Sequence, residues 1–291
     1  MAILKTLPLA IKQAFKTKKR PINFNMGLLT NKKISNNGVI IYKGKSLLNG
    51  ENIVVIMTGL NQGSANAKTG EMLQTWVLVD GKHPVLAHRD GSDFAVCGDC
   101  VHRGIYDDQG NYIKGRTCYV NLGQAPRAVI ECYNSGGYLN LNSITNTLME
   151  KLRLIDQICT GQAVRGGSYG DPAAVPAYIW AAAFGNAKTH TAYTHQWKQA
   201  RFSSLKKVAM ASADNAKEAA MAAAQGWRYF RVMSTQESAE KKPAKTTICP
   251  SVTVGLACSD CGACSGTESG RKAQIVIPVH GSGAAAFNAA A

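Results

Sequence analysis

From Ile144 onward the chain alternates short apolar runs with helical runs of about a dozen residues, and this rhythm limits the fold more than any other feature. "ITNTLMEKLRLIDQI" has the period of an amphipathic helix, and "AVRGGSYG" reads as a strand running into glycines. "DPAAVPAYIWAAAFG" opens on Asp and Pro and stops at Gly185, as a helix would. "THTAYTHQW" and "LKKVAMASA" read as strands, and "DNAKEAAMAAAQG" as a helix with an Asp cap and a terminal Gly. "WRYFRVM" and "AQIVIPVHG" complete the series as strands. Parallel neighbours need a crossover of a dozen or more residues, so the alternation predicts βαβ units. The expectation is an α/β protein with a parallel sheet, either open and doubly wound or a (β/α) barrel-like fold, complete or incomplete.

Before this region the texture is β-rich. "NNGVIIYKGKSLLNGENIVVIMTG" suggests short strands or a hairpin, and "TWVLVDGKHPVLAH" suggests strands at Thr75–Val79 and Val85–His88 around a DG turn. A helix is expected from Ala125 to about Tyr133, ending at a Gly pair. The organisation expected is a basic arm and β-rich segment over 1–90, an α/β metal-binding domain over 91–281, and a low-complexity tail over 282–291 that is disordered or helical.

Hydrophobic residues make up 45% of the 291, enough for a sizeable core, and nothing approaches 18 consecutive apolar residues. The opening "MAILKTLPLAIKQAFKTKKRP" fails as a signal peptide because its charges follow the apolar part and no small-residue cleavage site comes after. These features predict a cytoplasmic protein with reduced thiols and no membrane partner. The net charge is +15, and residues 1–50 carry ten Lys or Arg with no acid. Such an arm fits either contact with nucleic-acid phosphates or a solubilising terminus.

Seven of the nine cysteines fall into two clusters, which in a reducing compartment read as metal ligands before disulfides. Cys249, Cys258, Cys261 and Cys264 give C-x8-C-x2-C-x2-C, a closed set of four thiolates suited to an iron–sulfur cluster or to structural zinc. Cys97, Cys100 and Cys118 offer three thiolates, enough for a [4Fe–4S] cluster with one open iron. With His102 they would instead form a closed Cys3His zinc site, and His102 also fits a plain loop residue. Cys132 and Cys159 read as small buried hydrophobes.

The "CxxC…CY" pattern, followed by "RGGSYGDPAAVP" after a helix, resembles a group of bacteriophage and plasmid proteins related to the radical-SAM superfamily. The resemblance spans roughly Cys97 to His280 and implies a [4Fe–4S] cluster on Cys97, Cys100 and Cys118. It also implies that a turn at Gly166, Gly167, Gly170 and Asp171 meets the amino group of S-adenosylmethionine, with an auxiliary cluster on the C-terminal cysteines. Tyr119 follows a cluster cysteine, whereas the usual motif has its aromatic residue before it. The usual C-x3-C-x2-C spacing is absent, because seventeen residues separate Cys100 from Cys118.

Without that resemblance, the glycine turn still lets a backbone approach a ligand at the C-terminal end of a strand, while Asp171 also reads as a helix cap. Strand alternation would put Tyr193, His195 and Trp197 on one face, with His195 either looking into a site or packed as an ordinary histidine. Ser212 and Asp214 stand at another strand end, and His280 at the last one. Arg228 and Phe230 oppose Tyr229 and Arg231. Arg231, costly inside a barrel unless paired, would bind a carboxylate-bearing ligand or lie on a solvated face. Two functions follow. One is a radical-SAM-like enzyme with an open [4Fe–4S] cluster, S-adenosylmethionine and an auxiliary cluster, acting on a substrate the sequence does not name. The other is a zinc-braced phage or plasmid protein that binds nucleic acid without catalysis.

Overall fold

The run Ile53–Met57, "IVVIM", has no exposed residue, so it must be a strand covered on both faces. In the computed structural model, which describes residues 37–63, 66–109, 111–239, 245–281 and 284–290, it is the middle of β2 (Asn52–Thr58). β1 (Gly38–Lys45) and β3 (Leu73–Val79) flank it antiparallel, as the β-rich reading expects. The basic residues 1–36 lie outside the described residues. Of the two lysines that follow, Lys43 pairs with Asp80.

β3 then pairs in parallel with β7 (Ala163–Tyr169), the first strand of the alternating region. β8 (Thr189–Thr194), β9 (Met210–Ala213), β10 (Tyr229–Met233) and β12 (Gln274–Pro278) follow in spatial order, all parallel. β11 (Thr246–Ile248) closes one edge and β6 (Leu139–Asn140) the other. The result is an α/β fold around one ten-stranded, mostly parallel sheet, and among the described residues no pairing closes it into a barrel. The strands before and after residue 90 share this sheet and one hydrophobic core.

From β7 to β10 each strand neighbours the one before it, always advancing in the same direction. Right-handed crossovers then place the connecting helices on one face. α4 (Leu148–Cys159), α5 (Ala177–Gly185) and α6 (Ala216–Ala224) supply that cover, with Leu152, Ile155, Trp180 and Ala222 buried. α4 is capped by Thr147, whose Oγ1 accepts from the Glu150 N–H. The opposite face of β7 to β12 is left to the site.

Three local readings change. Val85–His88 is not a strand but part of α1 (Pro84–Arg89), because Pro84 opens a helix and the His83 ring accepts from the Val85 N–H. The Asp171–Pro172 start yields only a single 3-10 turn, since Pro176 forces Val175 extended and the helix begins at Ala177. "LKKVAM" becomes a strand only at Met210. Leu205 and Val208, three apart, bury one side of a 3-10 run that precedes it. The Ala125 helix runs to Asn134 as α3, and the tail forms α10 (Ala284–Ala290).

Candidate metal and cofactor site

Cys97 is the last residue of α2 (Phe94–Cys97). Gly98 follows with φ of 55°, and a Cβ there would strike the Gln196 amide at 2.6 Å, so only glycine turns the chain this tightly. Cys100 comes next. The seventeen residues to Cys118 leave as β4 (Ile105–Tyr106) and return as β5 (Tyr112–Lys114), an antiparallel ribbon. The His102 carbonyl accepts from the N–H groups of Thr117 and Cys118, at 3.1 and 3.0 Å, and this closes the base of the ribbon. The long gap is therefore a hairpin excursion that brings Cys118 back beside Cys100. Arg116 fixes the return by donating to the Cys118 and Val120 carbonyls.

Burial pushes the Cys97 thiol well up, and the charges of Asp93, Cys100, Cys118 and Asp171 add to the shift. Cys118 is also raised by burial, against the opposing pull of Arg116 and a backbone N–H from Val120. The neighbouring thiols oppose the ionisation of Cys97 and Cys118, and a bound cationic centre would reverse that balance.

The second set assembles from short pieces. Cys249 follows β11 and caps α8 (Pro250–Thr253), and its N–H donates to the Val276 carbonyl at 2.8 Å. Cys258 and Cys261 begin and end α9 (Cys258–Cys261), whose first N–H groups donate to the Lys68 and Thr69 carbonyls. Gly262 caps α9 in the left-handed region, and Cys264 follows. All four cysteines line one narrow void with Thr191 and Pro250. Arg228, nearly buried, donates to the carbonyls of Ala263, Ser265 and Ala273, which pins this loop to β12. Burial pushes Cys264 up to about 12, eased by a hydrogen bond with Tyr193.

Both sets open onto one cavity of about 470 Å³ at the C-terminal ends of the parallel strands. Its wall includes Cys97, Cys100 and Cys118 on one side and Cys249, Cys258 and Cys264 on the other. Arg165, Tyr119 and Tyr193 stand between them, with Arg165 donating to the Tyr119 hydroxyl at 2.8 Å.

The glycine turn is a bulge inside β7, not a loop after it. β3 pairs Gln74 with Arg165 and then Trp76 with Tyr169. Thr75 Oγ1 fills the gap, donating to the Arg165 carbonyl and accepting from the Gly167 N–H. Gly167 and Gly170 line the cavity with positive φ, whereas Gly166 turns away, since a Cβ on it would meet Phe184 at 2.7 Å. Asp171 also lines the cavity, but backbone groups engage its carboxylate. Oδ1 accepts from the Ala173 N–H and Oδ2 from the His195 N–H, both at 2.8 Å.

His195 lies past the end of β8, in helical backbone geometry, so strand alternation does not apply to it or to Trp197. Trp197 is in the core instead. The His195 ring bonds to Cys100 and, through Nε2, to Asp214 Oδ1 at 3.2 Å. Burial alone would lower its pKa, but Cys100 and Asp214 outweigh burial and hold it well above the usual histidine value. His102 Nε2 reaches the same Oδ1 at 2.9 Å, and its Nδ1 lies 2.7 Å from Thr117 Oγ1. Two histidines thus hold the Asp214 carboxyl well below the usual range despite its burial.

Arg231 does not line the cavity. Phe230 and Val232 face it, so alternation turns Arg231 to the other side, where Glu237 of α7 (Thr235–Ala239) is its partner. The carboxylate expected for Arg231 thus comes from the chain itself, and the half-buried Arg165 lines the cavity from β7. His280 and Phe287 complete the wall, and Phe287 stacks on His102 with centroids 5.6 Å apart. Nothing in the alanine-rich tail sequence marked Phe287 as a wall residue. No known protein family, curated protein or solved structure matches this chain. No helix among the described residues is long and apolar enough to cross a membrane.

Proposed function

We propose that the chain is a redox metalloprotein of radical-SAM-like type. In this reading Cys97, Cys100 and Cys118 hold a [4Fe–4S] cluster with one open iron, and Cys249, Cys258, Cys261 and Cys264 hold an auxiliary cluster. S-adenosylmethionine would occupy the cavity between them, against Gly167, Gly170 and Asp171. The observation that carries this is the shared cavity. Two cysteine sets more than a hundred residues apart in sequence face each other across about 470 Å³, at the strand ends where α/β proteins bind ligands. The one-directional winding from β7 to β10, with helices on one face and the cavity on the other, supports reading the open sheet as an incomplete (β/α) barrel.

Iron–sulfur is favoured over zinc by spacing. Four thiolates on one zinc ion, with Zn–S bonds of about 2.3 Å, stand about 3.8 Å apart. No three of the seven cluster sulfurs fall within 4.8 Å of one another. Thiolates around a cluster stand wider, because the irons and sulfides lie between them.

When bound, such a cluster supplies electrons for reductive cleavage of S-adenosylmethionine. The chain's own residues do the rest. The His195 ring bonds to Cys100, Asp171 fixes the end of β8 through the His195 N–H, and Gly167 and Gly170 hold the bulge in a backbone geometry that their positive φ allows. Tyr193 and Arg165 face the second cysteine set.

The test is anaerobic purification with iron, sulfide and zinc analysis and a visible spectrum. The expected result is a brown protein with acid-labile sulfide that binds S-adenosylmethionine. A colourless protein with stoichiometric zinc and no sulfide overturns the reading.

A further inference from the structure

We infer that His102, His195 and Asp214 form a separate binding site for one divalent transition-metal ion, independent of what the cysteines hold. The three side chains come from three elements: the loop after α2, the end of β8 and the end of β9. All three line the cavity. Their ligand atoms, His102 Nε2, His195 Nε2 and Asp214 Oδ1, all lie within 4.8 Å of one another.

The distances fit coordination as well as hydrogen bonding, and the unpartnered carboxylate oxygen favours the former. Metal bonds of about 2.1 Å at angles between octahedral and tetrahedral separate neighbouring donors by about 3.0–3.4 Å. The two nitrogens lie 2.9 and 3.2 Å from Oδ1. As a hydrogen-bonded trio, the arrangement loads both imidazoles onto one oxygen. It leaves Asp214 Oδ2 buried with no partner among the described residues, which costs stability. A metal ion uses that oxygen, as a second donor or as the neighbour of a bound water.

Each histidine also has the outer partner that metal ligation needs. With Nε2 on the ion, His102 Nδ1–H donates to Thr117 Oγ1 at 2.7 Å, and the His195 ring is steadied by its bond to Cys100. Phe287 covers the His102 ring and restricts it further. Two imidazoles and one carboxylate leave coordination positions open to the cavity, the pattern of non-haem Fe(II) sites and one that also takes Co(II), Mn(II) or Zn(II). The site would hold a water or an oxygen-bearing ligand within the same cavity as the cysteine sets.

The experiment titrates Co(II) into the intact protein and into Asp214→Ala and His195→Ala, with the metal counted and the visible spectrum recorded. Cobalt taken up by cysteines is common to all three and cancels in the difference. The expected result is one more cobalt per wild-type chain, with weak d–d absorption and no sulfur-to-cobalt charge-transfer band in the difference spectrum. Thr117→Val, which leaves the three ligands in place, is expected to bind this cobalt about 10-fold more weakly. It keeps the test open should the ligand variants fail to fold. Equal cobalt stoichiometry and affinity in wild type and variants, or a difference spectrum dominated by the charge-transfer band, overturns the inference. Failure of the iron–sulfur reading leaves it intact, since the ligands are nitrogen and oxygen.

Discussion

The two cysteine walls face one cavity but are built differently. The first combines three thiols with most of the cavity's titratable groups. Asp93 and Asp171 neighbour Cys97, and the His195–Asp214–His102 group adjoins Cys100. The second surrounds four thiols with Arg165, Tyr193 and the carbonyls held by Arg228. A three-thiol wall beside carboxylates and imidazoles suits ligand exchange and proton movement. A four-thiol wall beside an arginine and a phenol suits a closed centre whose negative charge is balanced.

That contrast predicts unequal losses. On the proposed reading, Cys118→Ala should remove the iron and sulfide of the first wall and abolish S-adenosylmethionine binding. Cys258→Ala should remove those of the second and leave that binding largely intact. Metal analysis with equilibrium dialysis reads both. Equal loss of S-adenosylmethionine binding in the two variants would erase the distinction between the walls.

The supports of the walls should fail by different physics. Arg228→Met leaves the carbonyls of Ala263, Ser265 and Ala273 without their donor, and the buried Ser265 carbonyl alone costs roughly 1–3 kcal/mol as an orphan. A loss of about 2 kcal/mol is expected in denaturant melts, with weaker binding of whatever metal the second wall holds. Gly170→Ala strains the first wall instead. Its φ is 81°, and a Cβ would stand 2.7 Å from the Cβ and carbonyl oxygen of Val77. The left-handed backbone costs about 1–2 kcal/mol and the overlap raises this to about 3. Gly255→Ala, with φ of 67° and no atom within 4 Å of its Cβ, should cost only about 1 kcal/mol.

The sequence exposed the walls unequally too. C-x8-C-x2-C-x2-C is local, so chain connectivity alone brings three of its sulfurs together. The first set was legible as residues but not as geometry, because Cys118 returns only through the ribbon across "IYDDQGNYIK". The βα alternation was legible because each strand and helix carries its own periodicity. Which arginine faces the cavity was not. Arg165, Arg228 and Arg231 all sit in or beside strand-like runs, and choosing among them needs the register of the whole sheet. His195 and Asp214 could be named as strand-end residues, but their meeting with His102 depends on the ribbon. Phe287 reaches the cavity from a tail whose composition gives no signal at all.

A further effect is expected on the far side of β8, away from both walls. His190 stacks on Phe184 with centroids 4.2 Å apart, and one ring nitrogen reaches the Val208 carbonyl at 2.9 Å. Burial lowers its pKa to about 4, with the Val208 carbonyl opposing that shift. The unfolded chain takes up a proton near 6.5, and the folded chain only near 4. Between these values the unfolded state binds more protons, so stability rises with pH. The contribution is full above about pH 6.5 and is lost progressively as the pH falls towards 4. The shift corresponds to roughly 3 to 3.5 kcal/mol at most. His190→Phe, which keeps the stack on Phe184 and cannot titrate, should flatten the stability profile across that window. Parallel profiles for wild type and variant between pH 4 and 6.5 would show that His190 is solvated and that the outer face of β8 is open to water.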